Sequence, residues 1–189
     1  MTQSSEHPDS TDALVRQGMQ ASREGRSVDA VSVWTEAVRR QPVNPQAHYL
    51  LGAELAHMER YGDAVVHFTH AVEQAPQLLA ARVQLALLWL TLQSTAQAES
   101  VSAALIDLPD DNAYHHIGRA LTALCRGQRA EAIESLRIMQ GMAIDNAPLA
   151  ADMAMLLKSL GEQVQPAAGA TNGEVDHRVA ISVYAGRRT

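Results

Sequence analysis

The chain has one cysteine (Cys125), one phenylalanine (Phe68) and one lysine (Lys158) among its 189 residues. A lone thiol forms no internal disulfide, so the fold must hold by packing alone. Cys125 falls between Leu124 and Arg126 on a predicted helix and reads as an inert, partly buried thiol. Aromatic residues make up only 4% of the chain, against 47% apolar residues overall. The core is therefore built from Ala, Leu and Val, and Ala and Leu are among the best helix formers. No apolar run approaches the ~18 residues of a membrane-spanning helix; the longest tempting one, Leu85 to Leu92, is far too short. The first thirty residues lack a basic segment leading into an apolar run, so no signal peptide is expected and the chain reads as cytoplasmic. A net charge of −6 argues against a nucleic-acid or anionic-membrane partner. Nucleophile elbow, phosphate-binding glycine loop and paired-carboxylate patterns are all missing. No enzyme activity and no cofactor are expected.

What the sequence does contain is a period. Ala30, Ala64, Ala98 and Ala132 stand 34 residues apart. Twelve residues before each is a small residue: Gly18, Gly52, Ala86 and Ala120. Four residues after each come Trp34, Phe68, Ser102 and Leu136. Such a period marks an array of antiparallel helix pairs. Small residues recur because one of two closely crossing helices must present a hydrogen or a methyl to admit the other's bulk.

The period divides the chain into repeats at 11–44, 45–78, 79–112 and 113–146, with a further helix over 147–161. Asn44-Pro45 reads as an N-cap followed by proline at the first helical position, where its missing N–H is harmless. Asn112 and Asn146 take the same place, preceded by Asp110, Asp111 and Asp145, acids suited to a helix N-terminus. Between the helices of a pair, Gly25-Arg-Ser27, Tyr61-Gly62-Asp63, Gln93-Ser94-Thr95 and Gly127 are the expected breaks. Pro42 and Pro76 end the second helix of the first two repeats. Leu149, Met153, Leu156, Leu157 and Leu160 give 147–161 an apolar face at helical spacing, as expected of a helix that covers the open end of an array.

A small residue at position 8 of the repeat, alanine at 20, an aromatic at 24, alanine at 27 (Ala37, Ala71) and proline at 32 resemble the tetratricopeptide repeat. The second repeat fits best, with Leu51-Gly52, Tyr61, Ala64, Phe68, Ala71 and Pro76. The first follows with Gly18, Gly25, Ala30, Trp34, Ala37 and Pro42. In the third and fourth, Ser102 replaces the ring, Leu105 and Met139 the second alanine, and Asp110 and Ile144 the proline. Gly127 and Glu131-Ala-Ile-Glu134 nevertheless keep the fourth in register. The resemblance spans about residues 11–161. It implies an all-α helical solenoid of four helix pairs plus a capping helix, and a function in binding protein or peptide.

In that family, positions 2, 5, 6, 9, 12 and 13 of each repeat line a concave groove. Here the first repeat supplies Asp12, Val15, Arg16, Met19, Ser22 and Arg23, and the second Gln46, Tyr49, Leu50, Ala53, Ala56 and His57. The third supplies Ala80, Val83, Gln84, Leu87, Leu90 and Thr91. From the fourth come Tyr114, Ile117, Gly118, Leu121, Leu124 and Cys125. Read as groove lining, this is an apolar interaction strip; read as helix packing, some of these positions are core. Both readings stand at this level. Family members that grip acidic C-termini use several Lys and Asn side chains, whereas only Arg16 and Arg23 occur here. In groove character the chain resembles bacterial type III secretion chaperones, which hold an extended segment of a client. The alternative is a scaffold or oligomer subunit.

His67 and His70 stand at i, i+3, and His115-His116 are adjacent, but neither pair has the three or four converging ligands of a zinc site. They read as solvated helix-face histidines, with no metal. Residues 1–10 are expected to be disordered. Residues 163–174 have linker composition, and His177–Ala185 alternates, with Val179, Ile181 and Val183 on one face and Ala180, Ser182 and Tyr184 on the other. An isolated strand needs partners. Disorder, pairing with a partner (including self-association) and docking in the chain's own groove are all open to this tail.

Overall fold

The computed structural model describes residues 11–162. Every regular element among them is an α-helix: α1 (Thr11–Arg23), α2 (Ser27–Arg40), α3 (Pro45–His57), α4 (Tyr61–Gln74), α5 (Leu79–Thr91), α6 (Thr95–Ile106), α7 (Ala113–Cys125), α8 (Arg129–Gln140) and α9 (Ala147–Glu162). First helices start at 11, 45, 79 and 113, with α9 at 147, and second helices at 27, 61, 95 and 129. The 34-residue period is thus kept without insertion or deletion. The helices fall into two compact bodies, one ending at Gln77 and the other beginning at Leu78.

In the first body α1 packs on α2, α2 on α3 and α3 on α4. The recurrent small and large positions meet as size complements. A Cβ added to Gly18 would lie 2.3 Å from Trp34 Nε1 and 2.5 Å from Cε2, while one on Gly52 would meet the Phe68 ring at 3.1–3.2 Å. Trp34 and Phe68 are buried together with Ala21, Ala30, Ala37, Leu51, Leu55, Ala64 and Ala71. Trp34 Nε1–H donates to the Val15 carbonyl at 3.3 Å, fastening α2 to α1. Where position 8 is alanine (Ala86, Ala120), position 24 is the smaller Ser102 or Leu136, and all four are fully buried. Space given up by one side chain is taken by the other, as close packing requires.

In the second body the chain-order neighbours pack in turn from α5 to α9, and α5 also packs on α7. Ten of the thirteen residues of α5 and nine of the thirteen of α7 are buried. Such helices have apolar neighbours around most of their circumference. α9 is tied to α5 by a buried hydrogen bond from Gln84 Nε2 to Asp152 Oδ2 at 2.9 Å. Its Leu149, Met153, Leu156 and Leu160 are fully buried, and Leu157 is half-buried.

Helix starts follow the asparagine reading. Asn44 accepts from Ala47 N–H, Asn112 from Tyr114 N–H and Asn146 from Leu149 N–H at 2.9–3.0 Å, each satisfying a donor the helix would otherwise leave orphaned. α2 and α4 stop at Arg40 and Gln74, two residues ahead of Pro42 and Pro76.

The breaks within pairs are one motif repeated four times. Gly25, Glu59, Gln93 and Gly127, again 34 residues apart, all have positive φ, at 71°, 62°, 59° and 69°. Each donates its N–H three residues back, to Ser22, Ala56, Leu90 and Leu124. The next residue (Arg26, Arg60, Ser94, Gln128) donates five residues back, to Ala21, Leu55, Trp89 and Ala123, at 2.8–2.9 Å. These are paired C-terminal capping bonds around a left-handed residue. Gly62 is not the break in the second repeat. It lies inside the first turn of α4, and Glu59 makes the turn.

Candidate functional site

Two helices of the first body, α1 and α3, carry the predicted groove positions of repeats one and two. Arg16, Met19 and Arg23 are exposed on α1, with Val15 half-buried beside them; on α3, Tyr49, Leu50 and Ala53 are half-buried. Ser22 Oγ donates to Glu54 Oε2 at 2.7 Å, joining the two helices. The Tyr49 ring leans on Phe68 with centroids 5.9 Å apart, so part of that tyrosine serves the core. The accessible predicted positions are mixed in character: apolar Val15, Met19, Tyr49, Leu50 and Ala53, and charged Arg16 and Arg23.

In the second body the predicted groove positions are core. Val83, Leu87, Ile117 and Leu121 are fully buried, Leu90 is 4% exposed, and only Tyr114 and Cys125 stay half-buried. The apolar strip expected there is not a surface. The cause lies in α5 and α7 themselves, which are too apolar around their circumference to leave a face in water, and in the Gln84–Asp152 bond that brings α9 against α5. Cys125 is half-buried, as read from the sequence.

A surface pocket of about 300 Å³ opens elsewhere in the first body. Leu51 and Leu55 of α3 contribute to it, with Val31 and Thr35 from α2, Arg60 just before α4, and Asp63, Val66 and His67 from α4. Arg60 Nη2 and Asp63 Oδ2 pair at 2.6 Å within its lining. Position-by-position groove reading misses this pocket because it sits between second helices.

The histidines are less solvated than their sequence positions implied. His48, on α3, is buried, and its Nδ1 lies 3.0 Å from His67 Nδ1, while its Nε2 bonds the Pro42 carbonyl at 2.9 Å. The His48 ring is 5.2 Å from that of His67 and 5.0 Å from that of His70. Only His70 is exposed. Burial, with His48 and His70 adding to it, pushes the His67 imidazole down to about 4; burial likewise lowers His48, against the pull of the Pro42 carbonyl. His116 is buried with Nε2 2.8 Å from the Asp110 carbonyl, and His115 Nδ1 lies 2.8 Å from that of Leu108. These rings fasten the loop before α7 to the helix. Among the described residues, no group of three or more His, Cys, Asp or Glu side chains is arranged to hold a metal ion.

Solved structures with the same helix arrangement include TTC0263, a tetratricopeptide repeat protein of Thermus thermophilus. It is 20% identical, over 94% of this chain and 89% of its own, with a TM-score of 0.66. The fold is the tetratricopeptide repeat. Residues 41 to the end of MamA from Desulfovibrio magneticus RS-1 align at 17% identity over 94% of this chain and 93% of that one, with a TM-score of 0.59. YrrB, described as a tetratricopeptide protein with an unusual peptide-binding site, aligns at 14% identity over 96% and 90%, with a TM-score of 0.58. No protein-family profile and no curated protein matches the chain.

Within this fold, then, the predicted site residues separate into an accessible set on α1 and α3 and a buried set on α5 and α7. Val179, Ile181, Val183 and Tyr184, the strand expected at 177–185 and residues 1–10 lie outside the described residues. Among the described residues, no helix is long and apolar enough to cross a membrane.

Proposed function

We propose that the chain is a non-enzymatic protein-interaction module that holds an apolar, extended segment of a client protein. Its role is that of a cytoplasmic chaperone or assembly factor in a bacterial secretion or assembly system. The observation that carries this reading is the exposure of the predicted groove positions on α1 and α3: Met19, Arg16 and Arg23 are exposed, and Val15, Tyr49, Leu50 and Ala53 are half-buried. A face of this kind buries aliphatic groups of a partner at about 25 cal/mol per Å² while the arginines meet its acidic groups or carbonyls. The peptide-binding site named for YrrB is a precedent within the fold. The second body's buried inner positions narrow the proposal to the first body.

The deciding experiment is co-purification of the full chain from its native host, with mass spectrometry, beside a Met19→Glu variant and an Arg16→Ala/Arg23→Ala variant. Loss of one specific client with Met19→Glu, and a modest loss with the arginine pair, supports apolar capture. Retention of all partners by Met19→Glu overturns the α1–α3 assignment. Recovery of only further copies of the chain, or of a fixed set of stoichiometric subunits, supports a scaffold instead.

A further inference from the structure

The three imidazoles between α3 and α4 have no part in that proposal, and while His48 and His67 are neutral their contacts admit one arrangement of hydrogens. A carbonyl oxygen only accepts, so the 2.9 Å contact with Pro42 places a hydrogen on His48 Nε2. Neutral His48 then has a bare Nδ1, which accepts from His67 Nδ1–H across 3.0 Å. A proton added to His48 keeps that contact as a hydrogen bond only if His67 moves its own hydrogen to Nε2, and with both rings charged two N–H groups face each other at 3.0 Å. Adding one to His67 at Nε2 places a charge beside a buried ring, with His70 close by on the same helix. We propose that His48, His67 and His70 form a proton-operated latch between α3 and α4, closed while the rings are neutral and released as they charge in acid.

The surroundings offer little to stabilise the charged form. Asp63 on α4 draws the His67 proton on and Arg60, at the start of that helix, repels it, but the two are paired with each other. On α2, the element packed on the other side of α3, Glu36 is shared between Arg39 and Arg40 at 2.7 Å each. Glu54 on α3 accepts from Ser22. Within this body each of these carboxylates already has a partner. Both His48 and His67 are accordingly held below the ordinary histidine value, His67 at about 4. Depressed folded-state values mean that the unfolded chain binds more protons between about pH 4 and 6.5. The latch therefore contributes its full stabilisation above about pH 6.5 and loses it as pH falls towards 4. His67 also lines the 300 Å³ pocket, so releasing the latch alters that wall.

The test uses the full chain. Histidine ring-proton NMR on the unaltered protein should show one or two imidazoles, assigned to His48 and His67, titrating well below pH 6. Urea unfolding at pH 7.5 and pH 5 should show the unfolding constant rising about ten- to thirtyfold in acid beyond the rise in His67→Gln, which keeps a hydrogen-bonding side chain but has no proton to gain. Amide exchange should place acid-induced opening in α3 and α4, with α7 and α8 unmoved. Three results overturn the proposal: His48 and His67 both titrating at or above pH 6.5, His67→Gln retaining the full acid dependence, or acid opening spread evenly over both bodies.

Discussion

Gly18→Ala offers a sharp test of the packing rule. In an ordinary exposed helix interior, replacing glycine by alanine stabilises by about 1 kcal/mol. Here the new methyl would sit 2.3–2.8 Å from three atoms of the Trp34 indole, a flat ring only 2% exposed. Restoring ordinary contact needs a ring shift of about 1 Å, and overpacking of this kind costs about 1–3 kcal/mol. The same shift strains the Trp34–Val15 hydrogen bond, already 3.3 Å long, which is worth about 0.5–1.5 kcal/mol. The balance is a net loss of about 2 kcal/mol. Gly52→Ala, at the equivalent position, meets Phe68 at 3.1–3.2 Å, where a displacement of a few tenths of an ångström suffices. There the gain and the cost cancel to within about 1 kcal/mol. Urea unfolding of the full chain, followed by far-UV circular dichroism, measures both. The double variant Gly18→Ala/Trp34→Leu recreates the Ala120 and Leu136 pair of the fourth repeat and should show a favourable coupling of about 1 kcal/mol or more in the cycle. A Gly18→Ala protein more stable than wild type, or equal losses at Gly18 and Gly52, would refute the reasoning.

Two further substitutions probe the turns and the second body. Glu59→Gly removes a side chain from a left-handed position, relieving roughly 1–2 kcal/mol against up to about 1 kcal/mol of added unfolded-state freedom; the melting temperature should rise by a few degrees, and a fall would show that Glu59 is not strained. Leu87→Glu places a carboxylate where the wild-type side chain is fully buried, at a cost of several kcal/mol; the second body should lose its cooperative transition, and a native-like melt would return Leu87 to the surface.

The fold was legible because it is written as a period. Spacing alone anticipated α1 to α8 and the added helix at 147, and the three asparagine caps could be named from residue type. Glu59 was missed because residue type pointed to the nearby glycine, Gly62. The signal that finds it is position, since Glu59 stands 34 residues after Gly25. The site was less legible. Family positions say which way a residue points on an ideal helix pair, not whether water reaches it. Leu87 and Ile117 looked like groove lining until the breadth of the apolar surface on α5 and α7 was weighed. His48 escaped notice because its partners, the Pro42 carbonyl and the His67 ring, are 6 and 19 residues away, beyond any short motif.

The bond between Gln84 and Asp152 also bears on how the protein is made. α5 is complete at Thr91, whereas α9 ends 71 residues later at Glu162. At synthesis rates of about 5–20 residues per second, a nascent chain carries a finished, nearly all-apolar α5 for about 4–14 s before α9 is whole. For all but the last ten residues of that interval Asp152 is not yet there to accept from Gln84, and the leucines of α5 gain their cover only as α6 and then α7 follow. Synthesis paused between Thr91 and Glu162 would therefore leave α5 short of its partners, and aggregation of this chain in the cell should depend on the speed of translation through those 71 codons.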